Sequence, residues 1–450
     1  RRGIVAVSID PYAQGSSSSS LSPRSATKEG YGMYALVDYF YSTPNLNYVD
    51  RERICATGHS AGGNAAIRGA SFFGKEAIAT GKPSKLHSVF VSGYVLSQKE
   101  HVLEDVRSNV GISYAYYDEG AYRNELAKDD EVLHKWENGD MRIAPESIRT
   151  VNMAHGRDWD AVEKVELGYY YGDPDKRTLR VVHNERTLHP FQPYTTEPTA
   201  NQIEYFEKVF HMEPEIASTD QIWYWKEILS MVSMVAAMVM LIPLTQLLLV
   251  NIPFFGAIAH PLPQPQPRPK GKGLMIFWGL FALGAIIACF SYIPMTELSK
   301  VLFVDDSTRK MTWFFPQRMN NGVMLWAVFN GTIGFILFFL TYKLFGKRAG
   351  ISPEMWGVRV TARELGRTLS LGLTVFMIYY LLLFTVYYFF HVDYRFLFMG
   401  VRPFQPTVVL LLVMYAPFFF IFFLSNSLRV NGAMRIEGQP EWKSRFTGIG

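Results

Sequence analysis

Apolar residues fall into two regimes along the chain. Up to about residue 225 they come in short runs set among Asp, Glu, Lys and Arg; beyond residue 228 they come in stretches of about 20. A helix needs roughly 20 apolar residues to cross the ~30 Å hydrocarbon core of a bilayer. Five stretches reach that length: 228–250, 274–294, 323–345, 368–390 and 407–425. None has an Asp, Glu or Arg in its interior, and Lys343 and His391 stand at edges from which they can reach the interface. An all-α polytopic membrane domain is therefore expected over 216–450.

The first half alternates continuous apolar runs with amphipathic ones, the pattern of a parallel sheet flanked by helices. Strands are expected at 3–9, 53–57, 86–91, 110–117 and 179–183, and helices at 25–41, 61–74 and 201–209. In the last of these, Ile203, Phe206 and Val209 recur at a spacing of three. The fold class is α/β for residues 1–215, followed by the membrane domain. Segment 119–177 interrupts the alternation without a clean period, and reads as a lid over a pocket or as a surface insertion. The serine run at 16–20 reads as a solvated turn. Because 3–9 reads as a strand already inside a fold, and 441–450 stops without a closing element, more chain is expected at both ends. The absence of a visible leader peptide then carries no weight.

At 450 residues the chain is long enough for two or three domains. A net charge of +4, with no basic stripe interleaved with aromatics, argues against a nucleic-acid partner. Cys55 belongs to an expected strand and Cys289 to an expected span, so they are not expected to pair. No His-Glu-x-x-His or paired-cysteine spacing occurs, and neither a metal nor another cofactor is expected.

The chemistry concentrates at Gly58-His59-Ser60-Ala61-Gly62-Gly63, directly after a strand. A bare Gly-x-Ser-x-Gly match turns up by chance in roughly one chain in seven of this length, so context decides. A strand that reverses into a helix within one residue strains that residue and crowds its neighbours, which favours glycine at the flanking second positions, 58 and 62. Ser60 would project its hydroxyl from the sheet edge, and the N–H of Ala61, opening the helix, would face a developing oxyanion. The other reading of Ser60 is a helix cap.

A serine hydroxyl needs a base within hydrogen-bond reach, and imidazole has the suitable pKa. His189 is the first choice, in the loop 186–190 between the last strand and the closing helix. His155 and His183 are the alternatives. The histidine in turn needs an acceptor to fix its tautomer. Asp118, at the end of the fourth expected strand, is preferred to Glu119, since a shift of one residue exchanges the faces.

The order Ser60, Asp118, His189, with the motif after a strand, resembles the α/β-hydrolase superfamily, and within it small-ester hydrolases of the dienelactone hydrolase and acetylhydrolase type. The likeness covers residues 3–211. It implies that Ser60 attacks an acyl carbon, that His189 takes and returns the proton, that Asp118 orients His189, and that Ala61 supplies one oxyanion donor. It further implies an N-terminally truncated sheet, its first strands and second oxyanion donor lying before Arg1. Residues 10–16 are similar to the family's loop after its fourth strand, with Tyr12-Ala13 where a second glycine is usual. The interval from Asp118 to His189 is longer than the family commonly has.

Positive residues mark the cytoplasmic ends of spans. With five crossings, one side receives Arg268, Lys270, Lys272, Lys347, Arg348, Arg359, Arg363, Arg367, Arg429, Arg435, Lys443 and Arg445, and the other only Lys300, Arg309, Lys310, Arg318, Arg395 and Arg402. The first side is expected in the cytoplasm and the α/β domain outside it, at the plasma membrane. The proline-rich stretch 261–269 should be an extended spacer. The aromatic segment 313–318 reads as an interfacial anchor or as a contact for the catalytic mouth, and Asn330, Gly331, Pro243 and Pro417 as helix contacts and kinks. The expected partners are a small-molecule acyl or ester substrate and the lipid bilayer. The expected activity is that of a membrane-anchored esterase; the alternatives are an acyltransferase using the same triad, a transporter or receptor with a non-catalytic hydrolase-fold domain, or an assembly platform.

Overall fold

The computed structural model describes residues 3–12, 17, 22, 28–128, 135–308, 312–397, 399–404 and 406–449, with the side chains of 407, 445 and 447–449 left out. The chain divides into two compact units, Arg1–Tyr224 and Trp225–Gly450. This boundary is later than the expected 215/216 because the intervening turn belongs to the first unit. There Ser218 Oγ donates to Glu204, and Gln221 Nε2 donates to the Thr196 carbonyl at 3.0 Å.

The first unit is built on a four-stranded parallel sheet of β1 (Cys55–His59), β2 (Ser88–Ser92), β3 (Asn109–Ala115) and β4 (Arg180–Glu185), in that order. Helices α1 (Met33–Ser42), α2 (Ala61–Thr80), α3 (Pro145–Asn152) and α4 (Thr196–Val209) surround it. Successive side chains of a strand point to opposite faces. On β2, Val89 and Val91 enter the core formed with Tyr34, Ile67, Phe73 and Val151, while Phe90 packs with Tyr205 and Val209 of α4. Both faces are thus covered, which is why the strands read as continuous apolar runs.

The expected strand at 3–9 is not one. The run lies outside the sheet, with Val5 and Val7 largely exposed, and β1 pairs with β2 alone among the described residues. An apolar run specifies a wish for burial and does not specify a hydrogen-bonding neighbour. The expected helix at 25–41 begins only at Met33, because Tyr31 (φ 56°) and Gly32 (φ 102°) stand in left-handed conformations. Positions 25–27, most of the serine run, and 13–16 of the loop likened to the hydrolases lie outside the described residues. Helix α2 runs further than expected, to a left-handed cap at Gly81 (φ 69°). Helix α4 starts earlier, since Pro198 is tolerated in a first turn. Segment 119–177 is built into the fold: Met141, Ala144, Val151, Val165 and Tyr171 join the main core, and the Gly168 N–H donates to the Val182 carbonyl at 2.9 Å.

The second unit holds α5 (Trp223–Asn251), α6 (Lys272–Leu302), α7 (Arg318–Thr341) and α8 (Ala362–Phe390), then an antiparallel hairpin of β5 (Tyr394–Phe396) and β6 (Met399–Val401), then α9 (Pro406–Leu428). All five helices are long and apolar enough to cross a membrane, with mean hydropathies of 2.1 to 2.6. Between 0% and 17% of the most apolar stretch of each is buried within the protein. So much uncovered apolar surface calls for lipid around it, the mark of an integral membrane protein.

Helix α5 packs on α8 through Ala237, Leu248, Leu371 and Leu383. Helix α7 packs on α6 and α9. At Gly331 an added Cβ would stand 2.9 Å from the Phe422 backbone, so α7 and α9 approach closely there. Asn330 Nδ2 donates to Ser291 Oγ at 3.1 Å and Trp326 Nε1 to the Ala288 carbonyl at 2.8 Å, polar ties between α7 and α6. Pro243 and Pro417 lie inside their helices. In the segment 313–318, Trp313 is exposed, while Phe315 is buried against Met324 and Tyr415.

The proline-rich spacer carries a backbone tie. Gln266 N–H donates to the Arg435 carbonyl at 2.7 Å, and Glu437 N–H donates to the Gln266 carbonyl at 2.8 Å. The connection after α5 therefore lies with the chain after α9. At the opposite ends, Leu397 N–H donates to Glu227 at 3.1 Å, joining the start of α5 to the hairpin after α8. Both pairings join segments that five alternating crossings would leave on the same face.

Candidate active site

Ser60 is the single residue between β1 and α2, with φ 56° and ψ −113°. A residue with a side chain rarely occupies this region, and such strain persists only where the surroundings fix it. Here Ser60 N–H donates to the Ser92 carbonyl at 2.8 Å, and Asn64 N–H donates to the Ser60 carbonyl at 3.1 Å. The elbow's need for small neighbours falls at Gly58, as expected, and at Gly63 in place of Gly62. A Cβ at Gly58 would stand 2.4 Å from the Gly62 carbonyl carbon, and one at Gly63 would stand 2.8 Å from the Ser92 carbonyl oxygen. At Gly62 it would meet nothing within 4 Å. Helix α2 crosses β1 and the end of β2 at Gly63 and turns Gly62 outward. Ala61 is the first residue of α2, whose opening amides have no helical acceptor and carry the positive end of the helix dipole.

Asp118 and His189 are brought together by the β3–β4 ladder, which continues past both strands: Tyr116 N–H donates to the Glu185 carbonyl at 2.8 Å and Tyr117 N–H to the Thr187 carbonyl at 3.2 Å. The next residue on one side is Asp118, and His189 opens a 3₁₀ turn (His189–Tyr194) on the other. His189 Nδ1 and Asp118 Oδ2 are 2.8 Å apart, and Gly120 N–H donates to Asp118 Oδ1 at 2.6 Å. Asp118 is 5% exposed, whereas Glu119 points to solvent. Of the two acids, Asp118 is the one bonded to His189.

The electrostatics match an ion pair in waiting. Burial alone would raise the Asp118 carboxyl, but the hydrogen bond and charge of His189 and the Gly120 N–H outweigh it and hold the group below its ordinary value. The Asp118 bond raises His189 above its ordinary 6.5, against the opposing effect of burial. The other histidines are placed elsewhere. His183 is buried in β4 beside Phe90 and is pushed down to about 4 by burial. His155 is exposed beyond α3 and bonds to neither Ser60 nor Asp118.

No hydrogen bond joins Ser60 Oγ to His189. Beside His189 stands His59, which sequence reasoning passed over. Its ring lies 4.5 Å, centroid to centroid, from that of His189, and its Nδ1 is 3.1 Å from Ser92 Oγ. Burial, and then the charge of His189, push it down to about 4, so it is the neutral neighbour of a raised imidazole. Gly93 (φ 63°) leaves the room for both rings: a Cβ there would be 2.6 Å from His59 and 3.0 Å from His189. The only signal in the sequence was the place of His59, inside the motif and next to the serine.

Among the described residues, no three His, Cys, Asp or Glu side chains gather as they would around a metal ion. No protein-family model matches the chain, and no similar curated protein or solved structure was found.

Proposed function

We propose that the chain is a membrane-anchored serine hydrolase whose α/β-hydrolase-type domain cleaves a carboxylic ester or related acyl compound. The observation that carries this reading is the bond at 2.8 Å between buried Asp118 and half-buried His189, on the same end of the sheet as a serine held at φ 56° between strand and helix. Ser60 Oγ attacks the acyl carbon and its proton passes to His189, where Asp118 stabilises the imidazolium. The Ala61 N–H and its neighbours in the first turn of α2 face the oxyanion. His189 returns the proton to the departing alcohol, and water then splits the acyl-serine, releasing the acid and restoring Ser60. From the distribution of Lys and Arg, we further place the catalytic domain outside the cytoplasm, at the plasma membrane.

The test is covalent labelling of the protein in membranes with a fluorophosphonate, alongside Ser60→Ala and His189→Ala. Loss of labelling in both variants is expected. The base works in its neutral form, and its pKa is raised, so labelling should be slow well below that raised value and climb as pH passes through it. Labelling that survives Ser60→Ala would sink the reading.

One observation favours a second reading. Since Ser60 Oγ is not bonded to His189, the domain also fits a hydrolase fold kept for binding within a transporter or receptor. A parent protein that folds and resists the probe would decide for it.

A further inference from the structure

Glu185, at the end of β4, is a carboxylate 2% exposed with no Lys or Arg paired to it among the described residues. Burial pushes its carboxyl up, and hydrogen bonds from neutral donors, chiefly Asn201 and Ser113, offset this only in part. A buried carboxylate without a cation is costly, so its retention asks for a reason. The donors around it supply one. Ser113 Oγ of β3 donates to Glu185 at 2.9 Å, Asn201 Nδ2 of α4 at 2.8 Å, and Gln192 Nε2 reaches both Ser113 Oγ (2.6 Å) and Glu185 (3.3 Å).

Gln192 belongs to the short turn that His189 opens, and it is buried (1% exposed) while Leu188 and Phe191 beside it are exposed. Through Gln192 the turn is fastened to β3 and β4 of the sheet. The fastening points are Ser113, on the strand that runs on to Asp118, and Glu185, on the strand that runs on to His189. Every donor points inward, and Glu185 is the acceptor on which the chain of bonds ends.

We infer that Glu185, with Ser113 and Gln192, is a positioning latch that holds the His189 turn at the distance where the Asp118–His189 bond forms. The inference rests on the proposed hydrolase reading for its catalytic meaning, but the geometry of His189 is measurable without it. Glu185→Gln keeps the volume and places an NH₂ group among donors, so the latch opens without leaving a hole.

The experiment uses the full chain in detergent with ¹⁵N-labelled histidine, read by NMR titration of His189, together with the rate of fluorophosphonate labelling. Glu185→Gln should move the His189 midpoint down toward 6.5, as the Asp118 bond loosens. A misplacement of about 1 Å costs up to roughly 10²-fold, so labelling should slow by about 10- to 100-fold. Ser113→Ala, which removes the bridging hydroxyl, should act in the same direction and stands in if Glu185→Gln does not fold. A parent-like His189 midpoint and labelling rate in the folded variants would overturn the latch. A parent chain that is never labelled overturns the hydrolase reading alone, and the His189 midpoint still decides the latch.

Discussion

A methyl group added at Gly63 would stand 2.8 Å from the Ser92 carbonyl oxygen, and that oxygen already accepts the Ser60 N–H. Neither partner can withdraw without moving the strained serine. Overpacking of this kind typically costs about 1–3 kcal/mol, so Gly63→Ala should lower the thermal midpoint of the first unit and reduce any labelling of Ser60. At Gly62 the same methyl meets open space in the first turn of α2, and Gly62→Ala should fall within about 0.5 kcal/mol of the parent. Thermal unfolding of the two variants side by side checks this; equal losses would mean that the helix does not cross the strands where described. At this scale the sequence was legible in kind. Ser60, Asp118 and His189 could be named because each had to follow a strand. Gly63 could not be told from Gly62, because which of two adjacent glycines faces the sheet depends on the crossing of helix and strand. The latch was out of reach for a similar reason: Ser113, Glu185 and Gln192 are ordinary polar residues until three separate segments meet.

Among elements, strands β1 to β4 and all five long helices stood out from apolar runs and their lengths, since burial on both sheet faces or in lipid leaves an uninterrupted pattern. The run 3–9 has the same pattern without the pairing, and only the hydrogen-bond ladder distinguishes the two. Segment 119–177 had no period because it contributes single residues, such as Met141 and Val165, to a core that other elements build. In the membrane part, α7 and α9 meet where Gly331 faces the Phe422 backbone. Gly331→Val should force these helices apart, at a cost of about 1–3 kcal/mol for a small-to-large change at a packed contact, and so lower the thermal midpoint of the detergent-solubilised protein. An unchanged midpoint would mean that the helices do not rely on this approach.

For the whole molecule, orientation reduces to which face of the bilayer each connection meets. In a chain whose Cys55 and Cys289 are replaced by serine, Thr312→Cys should react with an impermeant maleimide on intact cells, and Gln264→Cys only after permeabilisation. The reverse pattern would put the α/β unit in the cytoplasm. The charges on the connections forecast this arrangement, but they do not reveal how the connections hold one another, and there the spacer is informative. Gln266 exchanges two backbone hydrogen bonds with the chain after α9. In mechanical terms the membrane part is a buckled belt and not an open fan: a pull on the tail beyond the last crossing loads the first crossing through that clasp before it travels back along the three in between.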